Sequence, residues 1–201
     1  MLNTVEPHIK GIIFDADGTL IDTMPAHYMA WEQTAQLFGG HISETLFYEL
    51  AGVPSRRIVE ILNEKFGYSW DPDEFAEHKE SIYINTFLPQ VKIIEPVVNI
   101  AKAYKGRMPL AVGTGATQEV VQAALNITGI NYLFDAVVGA DDVEHGKPAP
   151  DTFLEAARRL GVEPHYCLVY EDSDLGLKAA ESAGMTHVDV RPYLMPAKNG
   201  R

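Results

Sequence analysis

Two carboxylates one residue apart, Asp15 and Asp17, stand in the run Asp15-Ala16-Asp17-Gly18-Thr19, directly after the apolar stretch Gly11-Ile12-Ile13-Phe14. Such a pair suits nucleophilic attack by one member and proton transfer by the other. Three more polar signals fall at or just after later apolar runs: Thr114 after Ala111-Val112-Gly113, Lys147 in Gly146-Lys147-Pro148, and Glu171-Asp172 after Val169-Tyr170. Asp15, Glu171 and Asp172 form an oxygen-rich, sulfur-free set that suits Mg²⁺ with several retained waters. Read singly, each signal has an ordinary structural explanation, since Asp and Gly are common turn formers, lysines are mostly solvated and acidic pairs cap helices. A calcium loop starting at Asp15 requires Gly at its sixth position and Glu at its twelfth, where Leu20 and Ala26 stand. Gly113-Thr114-Gly115 is half of a dinucleotide loop with Gln118 in place of the third glycine, and Pro148 after Lys147 excludes a Walker loop.

For these residues to meet, the runs that precede them must lie side by side. Short runs rich in Val, Ile and Leu at Gly11–Phe14, Leu110–Gly113, Ala136–Gly139, Leu168–Tyr170 and His187–Val190 alternate with helical stretches. Those stretches cover Pro96–Lys105, Gln118–Ile127, Thr152–Leu160 and Leu175–Ala183. The alternation predicts an α/β fold whose parallel sheet is joined by right-handed crossovers. All four polar sites then share the carboxyl edge, where open sheets of this kind hold ligands. Asp151, following Pro150, is expected to cap the helix over Thr152–Leu160. Residues 24–89 break the pattern, with no strand-like run but amphipathic stretches at Ala26–Phe38, Ser55–Phe66 and Pro72–Leu88. An all-helical insertion is predicted there, which gives an α/β core at 1–23 and 90–201 and a helical domain at 24–89. Asp71, Pro72 and Glu74 mark the start of its last helix. Met24, Tyr28, Trp31 and Phe38 recur at nearly helical spacing and are expected in its core, and the tail after Pro192 has little to bury.

With 201 residues, 46% of them hydrophobic and 22% charged, the chain can bury a sizeable core, and disorder is excluded. Lys and Arg total 16 against 28 Asp and Glu, and the net charge of -12 opposes nucleic-acid and anionic-membrane partners. No apolar run approaches the roughly 20 residues of a membrane span, and the N-terminus lacks the basic flank and apolar stretch of a secretory leader. A lone cysteine, Cys167, excludes an internal disulfide and any CxxC metal cluster, and it is expected to be buried and inert. These features predict a cytoplasmic monomer that acts on a small molecule. An acidic protein that binds an anion must concentrate positive charge locally or use a metal, and Lys147 is the candidate local cation.

Taken in order, the Asp15 motif, Thr114, Lys147 and the Glu171-Asp172 pair resemble the haloacid dehalogenase (HAD) superfamily over nearly the whole chain. Phe134-Asp135-Ala136-Val137-Val138, Lys147-Pro148-Ala149-Pro150-Asp151 and Glu171-Asp172-Ser173-Asp174-Leu175-Gly176 are similar to the branch containing β-phosphoglucomutase and fructose-1-phosphate phosphatase-like enzymes. The resemblance implies a Rossmann-like core with a small helical cap inserted after the first strand. It also implies a phosphoric monoester hydrolase, a Mg-dependent phosphatase hydrolysing a small sugar phosphate such as fructose 1-phosphate. Asp15 would become an aspartyl phosphate, and Asp17 would protonate the leaving sugar and then take a proton from water. Thr114 and backbone amides such as that of Gly115 would donate to the phosphoryl oxygens, with Lys147 neutralising charge. The metal would be held by Asp15, Glu171, Asp172 and the backbone carbonyl of Asp17. In the cap, His27 and Lys79 match positions associated with sugar phosphate recognition, and Arg56 is a further candidate contact. The alternative within the branch is a β-phosphoglucomutase interconverting β-glucose 1-phosphate and glucose 6-phosphate. Gly113-Thr114-Gly115 and the stretch from Gly184 to Arg191 look more like the hydrolytic side.

Overall fold

The computed structural model describes residues 5–50 and 53–194. Its contacts divide the chain into two compact units, one formed by Met1–Asp22 with Lys92–Arg201 and the other by Thr23–Val91.

The first unit is built on a five-stranded sheet. Its strands are β1 (Gly11–Phe14), β4 (Leu110–Gly113), β5 (Ala136–Val138), β6 (Cys167–Glu171) and β7 (Thr186–Asp189), in the order β5-β4-β1-β6-β7. Every pairing in it is parallel. Central β1, β4 and β6 are buried at every residue, which is why they read as unbroken apolar runs and not as alternating ones. On one face Ile13, Ala111, Val138, Cys167 and Val169 pack with Phe153, Ala156 and Ala157 of α7 (Asp151–Leu160) and Ala179 and Ala180 of α8 (Asp174–Ser182). Phe14 and Tyr170, partners in the β1–β6 register, stack at 5.2 Å. Burial pushes the Cys167 thiol up to about 11, which suits an inert core residue. Helices α5 (Glu95–Tyr104) and α6 (Gln118–Ile127) complete the crossovers, and a short α9 covers Arg191–Leu194. The rest of the tail, 195–201, lies outside the described residues.

Two features of this unit differ from the sequence reading. Strands β2 (Ile21–Asp22) and β3 (Lys92–Ile93) form an antiparallel pair, Ile21 opposite Ile93 and Asp22 opposite Lys92, at the two ends of the helical insertion. Two residues per strand are too few to show periodicity. The expected Asp151 cap is not formed. Pro150 adopts αR geometry as N-cap, so Asp151 is already the first helical residue, and its Oδ2 lies 3.2 Å from His145 Nδ1.

The second unit is helical, with α1 (Met24–Leu37), α2 (Glu44–Glu49), α3 (Ser55–Phe66) and α4 (Pro72–Ile82). Trp31, Phe47, Ile58, Val59, Leu62, Trp70 and Phe75 form its core, with Met24, Tyr28 and Phe38 packed against them. Asp71 caps α4 as expected, accepting from the amides of Asp73 and Glu74 with Pro72 behind it. Helix α2, capped by Ser43, has six residues and left no readable period. The last predicted stretch is not one α-helix. It ends at Ile82 and continues as a π-helical turn over Tyr83–Phe87 and a 3₁₀ turn over Leu88–Gln90, where Pro89 has no amide to donate. Among the described residues no helix is long and apolar enough to cross a membrane.

Candidate active site

The carboxyl edge of the sheet gathers the four polar signals. Asp15 is the first residue past β1, and its amide still donates to Tyr170 O at 2.9 Å, so the ladder fixes its backbone. Glu171 is the last residue of β6 and Asp172 follows it. Ligand oxygens from Asp15, Glu171 and Asp172 lie within 4.8 Å of one another. Lys147 donates to Asp15 Oδ1 at 2.7 Å and to Glu171 Oε2 at 2.8 Å. One ammonium thus faces three carboxylates, and the cluster lacks positive charge.

The titration behaviour follows from that imbalance. Burial, then the charge of Glu171, holds the Asp15 carboxyl well above its ordinary range, with Lys147 acting in the opposite direction. Burial and Glu171 push Asp172 up to about 6, against the hydrogen bond from Thr19. Burial alone would lower Lys147, but Asp15 and Glu171 outweigh it and hold the ammonium above its usual range. Asp15 Oδ2 is buried without a hydrogen-bond partner among the described residues. A buried anionic oxygen in that state costs free energy unless a cation or donor meets it. An all-oxygen donor set with one orphaned oxygen fits a hard divalent cation.

Each acidic residue has its own support. Thr19 Oγ1 donates to Asp172 Oδ1 at 3.0 Å. Gly18 takes φ +84°, and a Cβ there would collide with the Asp172 carboxylate, so both backbone and space demand glycine. Glu171 Oε1 accepts from the Ser173 hydroxyl at 2.8 Å and from the amides of Asp172 and Ser173 at 3.1 and 2.9 Å. Ser173 also caps α8 by accepting from the Gly176 amide at 3.0 Å. A Cβ on Gly176 would overlap the Glu171 carboxylate. Sequence reasoning missed Thr19, Ser173 and Gly176 as supports, although each sits inside a motif singled out for another residue.

Asp17 and Thr114 form a second pair. Thr114, buried past β4, donates to Asp17 Oδ2 at 3.3 Å and accepts from the Ala116 amide at 3.1 Å. The Asp17 carboxylate is therefore directed at Thr114 and is not among the three clustered oxygens. Gly115 is exposed in the same loop, with open space where a Cβ would stand.

The remaining candidates lie in the helical unit. His27 on α1 stacks on Tyr83 with centroids 3.9 Å apart and planes 15° from parallel. Lys79 on α4 is 5% exposed, pairs with Glu80 at 3.0 Å and has its ammonium 5.3 Å from the Tyr83 ring centre. Tyr83 thus joins the two, at the start of a π-helical turn that no sequence period announced. Arg56 is separate from this group, in an exposed ion pair with Asp73 at 2.6 Å.

The chain is similar to known proteins over most of its length. The chain is 42% identical over 181 residues to the fructose-1-phosphate phosphatase YqaB of Escherichia coli (strain K12), spanning 90% of this chain and 96% of that protein. It is 30% identical over 184 residues to a phosphorylated carbohydrates phosphatase of Thermotoga maritima, spanning 90% of this chain and 84% of that one. The crystal structure of an Entamoeba histolytica HAD hydrolase of family IA, variant 3, superposes with a TM-score of 0.81 at 29% identity, over 93% of this chain and 86% of that one. The family model for haloacid dehalogenase-like hydrolases matches residues 9–184, a span that holds the Asp15, Thr114, Lys147 and Glu171-Asp172 sites, and the chain belongs to that family.

Proposed function

We propose that this hydrolase is a Mg-dependent phosphatase that cleaves a small sugar phosphate of the fructose 1-phosphate kind through an aspartyl phosphate on Asp15. The observation that carries the reading is the contact of Asp15 Oδ1 with Lys147 at 2.7 Å beside an unpartnered Asp15 Oδ2. The similarity to fructose-1-phosphate phosphatase over nearly the full length of both chains supports the substrate class.

Asp15 attacks phosphorus and the bond from phosphorus to the sugar oxygen breaks. Asp17 gives that oxygen its proton, then takes one from the water that attacks the aspartyl phosphate and releases inorganic phosphate. Thr114 orients Asp17 through its hydroxyl, and amides of the Gly115 loop donate to the phosphoryl oxygens. Lys147 offsets the charge shared between nucleophile and phosphate. When bound, Mg²⁺ would neutralise charge at the phosphoryl oxygens. Asp15, Asp172 and the Asp17 carbonyl would hold it in preference to Glu171, which already accepts from Lys147, Ser173 and two amides. His27, Lys79 and Arg56 of the helical unit are assigned to recognition of the sugar phosphate.

The test is release of inorganic phosphate over a panel of sugar phosphates with Mg²⁺, fructose 1-phosphate being expected among the best substrates. No release from any of them would overturn the reading. Conversion of β-glucose 1-phosphate to glucose 6-phosphate, primed with glucose 1,6-bisphosphate and outrunning phosphate release, would replace hydrolysis with mutase chemistry.

A further inference from the structure

The loops that carry Thr114 and Lys147 are tied together at one side chain outside the reacting set. Asp142 ends a 3₁₀ turn, Ala140–Asp142, that follows β5. Its Oδ2 accepts from the Gly139 amide at 2.8 Å and from Gln118 Nε2 at 2.6 Å. Its Oδ1 accepts from Arg159 Nη2 at 2.7 Å. Gln118 opens α6, the helix entered from the Thr114 loop, and Arg159 lies in the last turn of α7, the helix entered from the Lys147 loop. Both donors also converge on one carbonyl, since Gln118 Nε2 and Arg159 Nη1 each reach Val137 O at 2.7 Å. The backbone adds two more ties, Ala140 N to Ala116 O at 2.8 Å and Gln118 N to Asp141 Oδ1 at 2.8 Å.

We propose that Asp142 is a positioning residue, which fixes the Thr114 and Lys147 loops against each other through Gln118 and Arg159. The inference rests on the phosphatase reading for what those loops do. Between Asp142 and Lys147 the chain passes Val143, half-buried against the sheet core, and then Glu144, His145 and Gly146, all exposed, and a Cβ at Gly146 would meet nothing within 4 Å. Past Val143 the stretch is held by the exposed His145–Asp151 contact at 3.2 Å, so the placement of its ends matters. Asp142 holds the near end, and its ion pair with Arg159 ties that end to the helix leaving the far one. Lys147 and the amides of the Thr114 loop act on the phosphoryl group, which every substrate shares, while the Thr114 hydroxyl orients Asp17. Loosening the tie should therefore reduce turnover of every phosphate ester, and no less where Asp17 must protonate a basic leaving group, because displacement by about 1 Å can cost up to about 100-fold.

The experiment compares wild type with Asp142→Ala and Asp142→Asn, each assayed well below its unfolding midpoint and normalised to folded protein. Substrates are fructose 1-phosphate and p-nitrophenyl phosphate, and orthovanadate binding is measured separately by calorimetry. The expected result for Asp142→Ala is a fall of about 10–100-fold in kcat/KM on both substrates, no smaller on fructose 1-phosphate than on the aryl ester, with weaker vanadate binding. Asp142→Asn keeps one acceptor oxygen and should fall less; it carries the test if the alanine variant does not fold. In a Thr114→Ala background the Asp142→Ala loss should shrink at least threefold, since part of what Asp142 holds is already gone. A lowered midpoint with kcat/KM and vanadate affinity within twofold of wild type would overturn the proposal and leave a purely structural role. If wild type hydrolyses no ester yet binds vanadate in an Asp142-dependent way, the phosphatase reading fails and the positioning role stands. If wild type does neither, both fail.

Discussion

Lys147 and Glu171 form a buried ion pair, 2.8 Å between Nζ and Oε2, with side chains 10% and 1% exposed. The pair spans two elements, since the lysine arrives on a loop and the glutamate ends β6. Removing one partner of such a pair costs about 3 kcal/mol or more, because the other charge stays buried. Here Glu171→Ala also strips acceptors from Ser173 and two amides at the head of α8. The expected outcome is a loss of about 3 kcal/mol in urea unfolding without metal, and activity below about a tenth of wild type. An unchanged urea midpoint would contradict the account.

Asp17→Ala should cost more when the leaving group is a basic alkoxide. General acid help is worth about 10²–10⁴ and matters least for an activated aryl phosphate. The loss on fructose 1-phosphate should exceed that on p-nitrophenyl phosphate by at least about tenfold. Equal losses would make Asp17 a structural partner of Thr114 and nothing more.

The raised carboxyl groups give the metal-free protein a defined pH dependence. Asp172 titrates near 6 when folded against 3.8 in the free group, so its folded form holds a proton that the unfolded chain has released. That contribution is fully present below the unfolded value and is lost as pH rises from about 4 to about 6. Asp15 shifts in the same direction. In EDTA the urea midpoint should fall over that interval, and Asp172→Asn should flatten part of the fall. A midpoint that rises equally in both proteins would refute the assignment.

Chelation should stop turnover and Mg²⁺ should restore it. Asp172→Ala should raise the Mg²⁺ concentration for half-maximal activity by about tenfold or more, with a smaller effect on thermal stability measured without metal. Full activity in EDTA would remove the metal from the reading.

The parallel sheet was legible because fully buried strands leave apolar runs, and the four polar signals were legible because each follows such a run. Register was not, since it depends on pairings such as Phe14 with Tyr170 that lie far apart in the chain. The supports were partly hidden. Thr19 was visible in its motif, but its bond to Asp172 spans 153 residues and requires the sheet to close first. Asp142 and Gln118 carry ordinary polar side chains with no local pattern, and only the convergence of two loops gives them a role. Tyr83 was absorbed into a predicted helix because a π-helical turn keeps the composition of its neighbours. Asp151 failed as a cap by one residue, which is the usual uncertainty of a helix boundary.

The space beside Gly176 where a Cβ would stand is filled by the Glu171 carboxylate. Residue size at 176 and side-chain length at 171 therefore behave as one variable in any mutational library. Alanine at 176 should be selected only together with a shorter acid at 171, and a shorter acid draws its oxygen away from Lys147. Neither single change nor the pair preserves the lysine contact, so this corner of the fold resists drift even where no substrate atom touches it.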